Sequence, residues 1–404
     1  MHYLFMGLIY PDEDYAMLAQ KSKHGMQTQI DHFQKLVISA LEQNPKVESV
    51  QVCNVWPVGI FPRHFANLYL PRKYNGNVHS LPAINLPYFK QKMREKEAFV
   101  FLQKWVTKNP KNRNILIYSL YLPYMRAAVA IKKQFPDVKL GIIVPDIPGA
   151  LGLASGRTGL LQKIEQKRVN ASLALCKHFD RFVLLTEAMK HALPLSNNAN
   201  YIVMEAIAPK MVETANEDDI VKTYQKYHLP IDKPCVVYTG TLQEELGILD
   251  CIQSFADSRL QNVHLVLAGA GKDAAKVQVL CEDKSNCHYI GFIPRDDALH
   301  IQQGASVLIN PRKNGHAYTA YSFPSKTMEY MLSGKPVLCY QLDGIPEEYN
   351  SYLHYIGKDL VSSICNVLEQ EPFALQMKGE AAKQFVLQNK NADAQTERIV
   401  QMFE

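Results

Sequence analysis

The chain has 404 residues, of which 47% are hydrophobic and 21% charged, with a formal net charge of +5. That length exceeds one ordinary core and suits two domains, and the composition excludes an intrinsically disordered chain. No apolar run reaches the roughly 18 residues that a membrane span needs. Residues 1–205 carry 26 Lys and Arg against 14 Asp and Glu, whereas the remainder carries 18 against 25. A basic half therefore precedes an acidic one, and each is expected to meet a different partner. The eight cysteines are scattered without a C-x-x-C pair, which implies reduced, mostly buried thiols in a cytoplasmic protein. The 13 histidines show no metal-ligand spacing.

Met1 to Tyr10 is apolar, lacks a basic leader and reads as a buried first strand instead of a signal peptide. Asp12-Glu13-Asp14 follows. As a string it matches the D-x-D of metal-dependent sugar transfer, but its place after the first strand reads as a solvated loop. Further strands are expected at Ser49–Val52, Asn114–Tyr118, Lys139–Val144 and Arg181–Leu185, with helices such as Ile30–Glu42 and Gly159–Leu175 between them. The second half repeats the alternation with Cys235–Thr239, Val263–Ala268, Cys287–Ile290, Ser306–Ile309 and Pro336–Tyr340. Short apolar strands alternating with amphipathic stretches predict α/β layering on parallel sheets. A boundary is expected near residue 206, giving domains 1–205 and 206–391, with a final helix at about Ala392–Phe403 returning to the first. Gly269-Ala270-Gly271 lacks the third glycine of a dinucleotide fingerprint and reads as a tight turn.

The densest chemical signal is Asn310-Pro311-Arg312, then Tyr321-Ser322-Phe323-Pro324-Ser325-Lys326-Thr327-Met328-Glu329, closed by Gly334-Lys335-Pro336. Pro324 suits the first turn of a helix and Gly334 the residue that ends it. Free N–H groups at such a helix start attract phosphate, and Lys326 adds a full positive charge there. Glu329 lies three residues on, so it shares a face with Lys326. A pyrophosphate at the helix start would place a ribose about one turn along, where a carboxylate can accept from both hydroxyls. In isolation, Lys326 and Glu329 read as an exposed helix ion pair, and the alternative for Arg312 is an ordinary surface arginine.

This stretch resembles the nucleotide-sugar site of the retaining GT-B glycosyltransferases of family 4. SFPSKTMEYM followed by SGKPVL is similar to the branch that builds bacterial capsules and exopolysaccharides. The resemblance implies two Rossmann-like domains whose parallel sheets face a central cleft. It gives Glu329 the donor ribose and places the family's other glutamate at Tyr321. It puts the family's phosphate-binding arginine and lysine at Thr241 and Leu246, which leaves Arg312 and Lys326 as the nearest cations. Gly240 and Thr241 would offer backbone N–H groups and a hydroxyl to phosphate, and the segment Tyr289-Ile290-Gly291-Phe292 would meet the base through its backbone. In the first domain, Asp146 stands where many relatives face the donor sugar, Tyr118-Ser119 ends the preceding strand, and Lys23-His24-Gly25-Met26-Gln27 matches a glycine-containing loop near the donor phosphates and acceptor.

The expected protein is thus a metal-independent, cofactor-free hexosyltransferase that moves a sugar with retention from a nucleoside-diphosphate sugar, by family frequency UDP, to a saccharide or lipid-linked acceptor. Asp146, Arg312 and Lys326 form its catalytic set. Gly25, Gly240, Thr241, Ile290, Tyr321, Ser322, Phe323, Pro324, Ser325 and Glu329 form its substrate-binding set. Two alternatives stand beside this one: a sugar-nucleotide 2-epimerase of the same architecture and a catalytically silent binding subunit. Between Phe61 and Lys96, seven basic residues (Arg63, Arg72, Lys73, Lys90, Lys92, Arg94, Lys96) are interleaved with aromatics and a single acid, Glu95. That mixture suits the anionic inner face of a membrane, or else a solvated loop whose rings belong to the domain's own core. No nucleic-acid motif accompanies the charge.

Overall fold

The computed structural model describes residues 1–23, 25–148, 159–315 and 319–404. His24, from the segment Lys23–Gln27 singled out above, lies outside the described residues. The chain divides into two compact units, Met1–Ile207 with Ala392–Glu404, and Ala208–Asn391.

The strands of the first unit are β1 (His2–Gly7), β2 (Ser49–Asn54), β3 (Tyr69–Leu70), β4 (Lys73–Asn75), β5 (Val78–Ser80), β6 (Ala83–Ile84), β7 (Arg113–Tyr118), β8 (Lys139–Val144), β9 (Arg181–Leu184) and β10 (Asn200–Val203). Eight of them form one sheet in the order β10-β9-β8-β7-β1-β2-β5-β4. Every pair is parallel except β4–β5, and β3 and β6 make a separate antiparallel ribbon. After their polar first residues, the central strands β1, β7 and β8 are continuous apolar runs, because both faces are covered. Tyr3, Leu4, Phe5 and Met6 of β1 and Ile115, Leu116 and Ile117 of β7 are all at 0% exposure. The helix Ala392–Phe403 adds Ile399, Val400 and Phe403 to this core, and the Phe403 ring meets Tyr3 edge-on at 5.3 Å. Gly141 of β8 makes room for that ring, since a Cβ there would stand 2.4 Å from it.

The second unit has β11 (Cys235–Thr239), β12 (His264–Ala268), β13 (Cys287–Tyr289), β14 (Val307–Asn310), β15 (Val337–Cys339) and β16 (His354–Tyr355), all parallel, in the order β13-β12-β11-β14-β15-β16. This is the doubly wound order in which the winding reverses beside the first strand, here between β11 and β14. Ligands of such sheets sit beyond the carboxyl ends of the strands at that reversal. In the first unit the reversal lies between β1 and β7. Both units are therefore Rossmann-like α/β layers.

Two expectations about the first unit need correction. Asp12-Glu13-Asp14 is no loop but the first turn of a helix, Asp12–Lys21, where three carboxylates complement the positive end of the helix. Asp14 is 2% exposed and ion-paired with Lys73. The short strands β3 to β6 and β10, like β16 of the second unit, also escaped the sequence pattern, because two to four residues are too few to display an alternation. The eight cysteines are all free, seven of them buried.

Candidate nucleotide-sugar site

The residues singled out in the second unit gather at the reversal between β11 and β14. The helix Ser325–Leu332 buries Thr327, Met328, Tyr330, Met331 and Leu332 and turns Lys326 and Glu329 outward together, as their three-residue spacing requires. Tyr330 is at 0% exposure, and its hydroxyl accepts from the Thr239 amide at 2.9 Å and donates to the Thr239 carbonyl at 3.0 Å. The helix is thus fastened to the last residue of β11. A second tie runs from Asn310 Nδ2, at the end of β14, to Thr327 Oγ1 at 3.1 Å. Pro324 occupies the N-cap position instead of the first turn, and its carbonyl accepts from Thr327 N at 2.8 Å. Gly334 follows the C-cap Ser333 at φ +76, the left-handed conformation that commonly closes a helix.

Lys326 Nζ donates to both carboxylate oxygens of Glu329, at 2.8 and 2.9 Å. The same carboxylate accepts from Gln302 Nε2 at 2.8 Å, and that nitrogen also donates to Thr239 Oγ1 at 2.7 Å. Gln302 is 1% exposed, whereas the Lys326 and Glu329 side chains are 36% and 39% exposed. A buried amide therefore holds one side of the carboxylate, and an accessible ammonium holds the other. Lys326 also lies over the β11 loop, with its Cε 3.3 Å from the place a Cβ on Gly240 would take.

The loops after β11, β12 and β14 are in backbone contact. A Cβ on Gly269 would fall 1.8 Å from the Gly240 carbonyl, and one on Gly247 would fall 2.1 Å from the Pro311 carbonyl. Gly269-Ala270-Gly271 is thus the tight turn that its sequence suggests, with the Gly269 amide bonded to Gly291 O at 2.8 Å. The same packing corrects one expectation. The Gly240 amide donates to Ala268 O at 2.8 Å and is committed to the sheet. Thr241 is exposed, and its carbonyl accepts from Tyr238 OH at 2.8 Å. Leu246 packs against the unit's core. The Ile290 amide is likewise committed, to Leu267 O at 3.0 Å, while Phe292 two residues on is 83% exposed.

Arg312 reaches Ser322 Oγ through Nη1 at 3.5 Å, so the segments after β14 and before the helix meet. Tyr321 ends a short 3-10 turn, Thr319–Tyr321, and Ser325 is exposed at the helix start. Phe323 departs from its expected role. It is 7% exposed, and its ring packs against Tyr349 at 5.4 Å, so its side chain belongs to the core.

In the first unit, Asp146 follows β8 and remains exposed, yet the protein atoms crowding its carboxyl raise its pKa above the ordinary value. It is close enough to Tyr118 that its charge adds to burial in pushing the tyrosine hydroxyl up. Ser119 takes a positive φ of 64 as β7 ends and donates its amide to Ile143 O at 2.9 Å, which keeps the β7 and β8 ends together. Gly25 is exposed between the helices Asp12–Lys21 and Thr28–Gln43, with nothing within 4 Å of an added Cβ. Among the described residues, no contact requires glycine there.

Sequence reasoning missed Gln302 and Tyr330. The available signal for Gln302 was a Gln302-Gln303 pair directly after the buried Ile301, polar residues on the inward side of the helix Arg295–Gly304. Buried amides of this kind are held by specific partners, and both glutamines have them.

Residues 219–384, most of the second unit, match the family described as Glycosyl transferases group 1. No curated protein matches the sequence. Sucrose-phosphate synthase from Thermosynechococcus elongatus is similar in structure at 14% identity and a TM-score of 0.60, over 100% of this chain and 98% of that one. An E. coli trehalose-6-phosphate structure bound with UDP-2-fluoro glucose is 9% identical, with a TM-score of 0.63, over 100% and 99% of the two chains. A trehalose-6-phosphate synthase studied for glycosyl transfer with retention is 9% identical, with a TM-score of 0.59, over 99% and 98%. Likeness at this identity establishes the architecture, and with the match in the second unit it supports a glycosyltransferase of the GT-B fold.

Proposed function

We propose that the chain transfers a sugar, with retention, from a UDP-sugar held by the second unit to a saccharide or lipid-linked acceptor held by the first, as in the synthesis of cell-surface polysaccharide. The observation that carries this reading is the cluster Thr239, Gln302, Lys326 and Glu329 at the reversal between β11 and β14. Glu329 accepts the ribose hydroxyls, Lys326 and Arg312 face the diphosphate, and the exposed amide and hydroxyl of Thr241 and the helix start at Ser325 complete the phosphate contacts. Tyr321 and Ser322 adjoin the donor sugar, Phe323 and Pro324 hold that segment in place, and the base lies against the Ile290 carbonyl and the exposed Phe292. Asp146 orients the donor sugar or the acceptor hydroxyl, and Gly25 belongs to the acceptor loop. As the bond from the anomeric carbon to the diphosphate breaks, the acceptor oxygen bonds on the same face and its proton passes to the departing phosphate oxygen. Fixed cations and helix dipoles stabilise the charge that develops there.

No metal is required on this reading. Protein cations counter the diphosphate, and two carboxylates of the acidic string Asp12-Glu13-Asp14 are already paired, Asp12 with Lys35 and Asp14 with Lys73. The UDP assignment and the retention extend to this chain what is known of its structural neighbours. The test is donor turnover with and without acceptor, beside a thermal-shift comparison of nucleoside diphosphates. A ligand at about 100 times its dissociation constant adds roughly 2.7 kcal/mol of stability. Nucleotide binding with transfer only when acceptor is present supports the proposal. Epimerisation of donor alone, or binding without turnover under any acceptor, overturns it.

A further inference from the structure

We propose that the first unit docks on an anionic lipid surface through one face, built from the β3–β6 ribbon and the outer side of the helix Phe89–Lys108. The sequence left two fates for the aromatic residues of this region, and the structure separates them. Phe65 and Leu70 are at 0% and 1% exposure and belong to the unit's core. Leu68, Tyr69, Tyr88 and Phe89 do not, at 46%, 54%, 59% and 57% exposure. Tyr69 pairs across the ribbon with Ile84, itself 39% exposed, so these side chains are neighbours and not isolated.

The first two turns of the helix depart from the ordinary surface pattern, whereas farther along Ala98, Leu102, Trp105 and Val106 bury an apolar face. In those first turns the inner side buries two cations. Lys90 Nζ donates to Val58 O at 2.6 Å, and Arg94 Nη2 donates to Trp56 O at 2.7 Å. Both were expected at the membrane, and the backbone carbonyls they satisfy explain why they are not there. The outer side carries Phe89, Lys92, Met93 and Lys96, which recur at the three- and four-residue spacing of one helical face. With Ile84 and Arg126 they line an open groove of about 600 Å³. Arg126 is paired with Glu95 at 3.2 Å, so Lys92 and Lys96 are the surplus positive charge of this face.

Lysines interleaved with half-exposed rings favour lipid over a protein partner. Lysine is depleted at protein interfaces, whereas anionic headgroups attract it and tyrosine rings lodge at headgroup depth. No helix among the described residues is long and apolar enough to cross a membrane, so the contact is peripheral. This surface is independent of the nucleotide cluster and can fail without touching the proposed function.

The test is sedimentation of the full chain with vesicles of phosphatidylcholine alone or mixed with phosphatidylglycerol, alongside a UDP titration of each variant. Binding should require phosphatidylglycerol and weaken as salt rises. Each cation near such a surface contributes about fivefold to partitioning, so Lys92→Gln with Lys96→Gln should lower binding by roughly 25-fold. Phe89→Ser should lower binding to the same vesicles with the salt dependence preserved. All three sites are exposed, so the thermal midpoint and UDP affinity should stay unchanged. Equal binding to both vesicle types, no binding at low salt, or variants that bind like the parent would overturn the proposal. So would self-association through these residues without vesicle binding, since the face would then meet a second copy.

Discussion

Glu329→Ala separates a ribose acceptor from a helix ion pair. The carboxylate makes three contacts, two from Lys326 and one from Gln302. The Lys326 pair is more than a third exposed on both sides and spans three helical residues, which places it at about 0.2–0.5 kcal/mol. Gln302 is buried and would keep Thr239 as a partner, so its lost bond costs about 1 kcal/mol. Alanine is a good helix former and returns part of that. The ligand-free protein should therefore lose only about 1 kcal/mol. Loss of an ionised acceptor for two ribose hydroxyls costs about 1.5–3 kcal/mol, so nucleotide affinity should fall by roughly 10- to 150-fold. The companion Lys326→Ala distinguishes the two roles. Glu329→Ala should weaken uridine and UDP by similar factors, whereas Lys326→Ala should weaken UDP and leave uridine nearly unchanged. Calorimetric titration of both ligands against both variants at fixed salt reads this directly. If Glu329→Ala binds UDP as well as the parent, the carboxylate is not the ribose acceptor. If it unfolds the protein, the cluster is structural.

Three further outcomes are expected. Donor turnover should survive EDTA, and loss restored by manganese would return attention to Asp12-Glu13-Asp14. Burial, with Arg94 nearby, lowers the Lys90 pKa to about 7, so the lysine is charged in both states below that value and neutral only in the folded state between it and the ordinary value of 10.5. Stability relative to Lys90→Met should accordingly rise with pH across that window, by at most about 1.4 kcal/mol per pH unit, as denaturant titrations at several pH values would show. A flat difference would mean that the amine is not held desolvated. Gly269→Ala should destabilise by more than about 1 kcal/mol in thermal melts, because its φ of +144 and the nearby Gly240 carbonyl leave no room for a Cβ. An unchanged midpoint would contradict the close packing of the β11 and β12 loops.

The central parallel strands were legible as buried apolar runs, and β11, β12 and β14 appear within a residue of their expected ends, whereas the edge strands β10 and β16 carry no such run. The Lys326–Glu329 face was legible from spacing alone. What stayed hidden depends on contacts between segments distant in sequence. Gln302 meets Glu329 across 27 residues and Thr239 across 63, and nothing local to Gln302 names either partner. The commitment of the Gly240 amide depends on the neighbouring strand, and the burial of Lys90 and Arg94 on carbonyls more than 30 residues away. Charge counts treat every lysine as solvated, which is why they overstated the cations between Phe61 and Lys96.

The unequal burial around Glu329 has a consequence for how a donor would enter. A diphosphate offers Lys326 an anion and a ribose offers Glu329 two donors, so the ligand can replace the Lys326–Glu329 pair contact for contact. The pair is worth about 0.5 kcal/mol at most, so releasing it raises the dissociation constant by little more than twofold. The Gln302 bond need not break, because Nε2 approaches Oε1 from the buried side and holds the carboxylate while Lys326 swings away. A fixed acceptor beside a movable cation is the division expected where the ribose must be positioned and the leaving diphosphate must be followed as its charge grows. Reversing that burial, with a buried lysine and an exposed glutamine, would leave an uncompensated charge whenever the pair opened, at a cost of several kcal/mol.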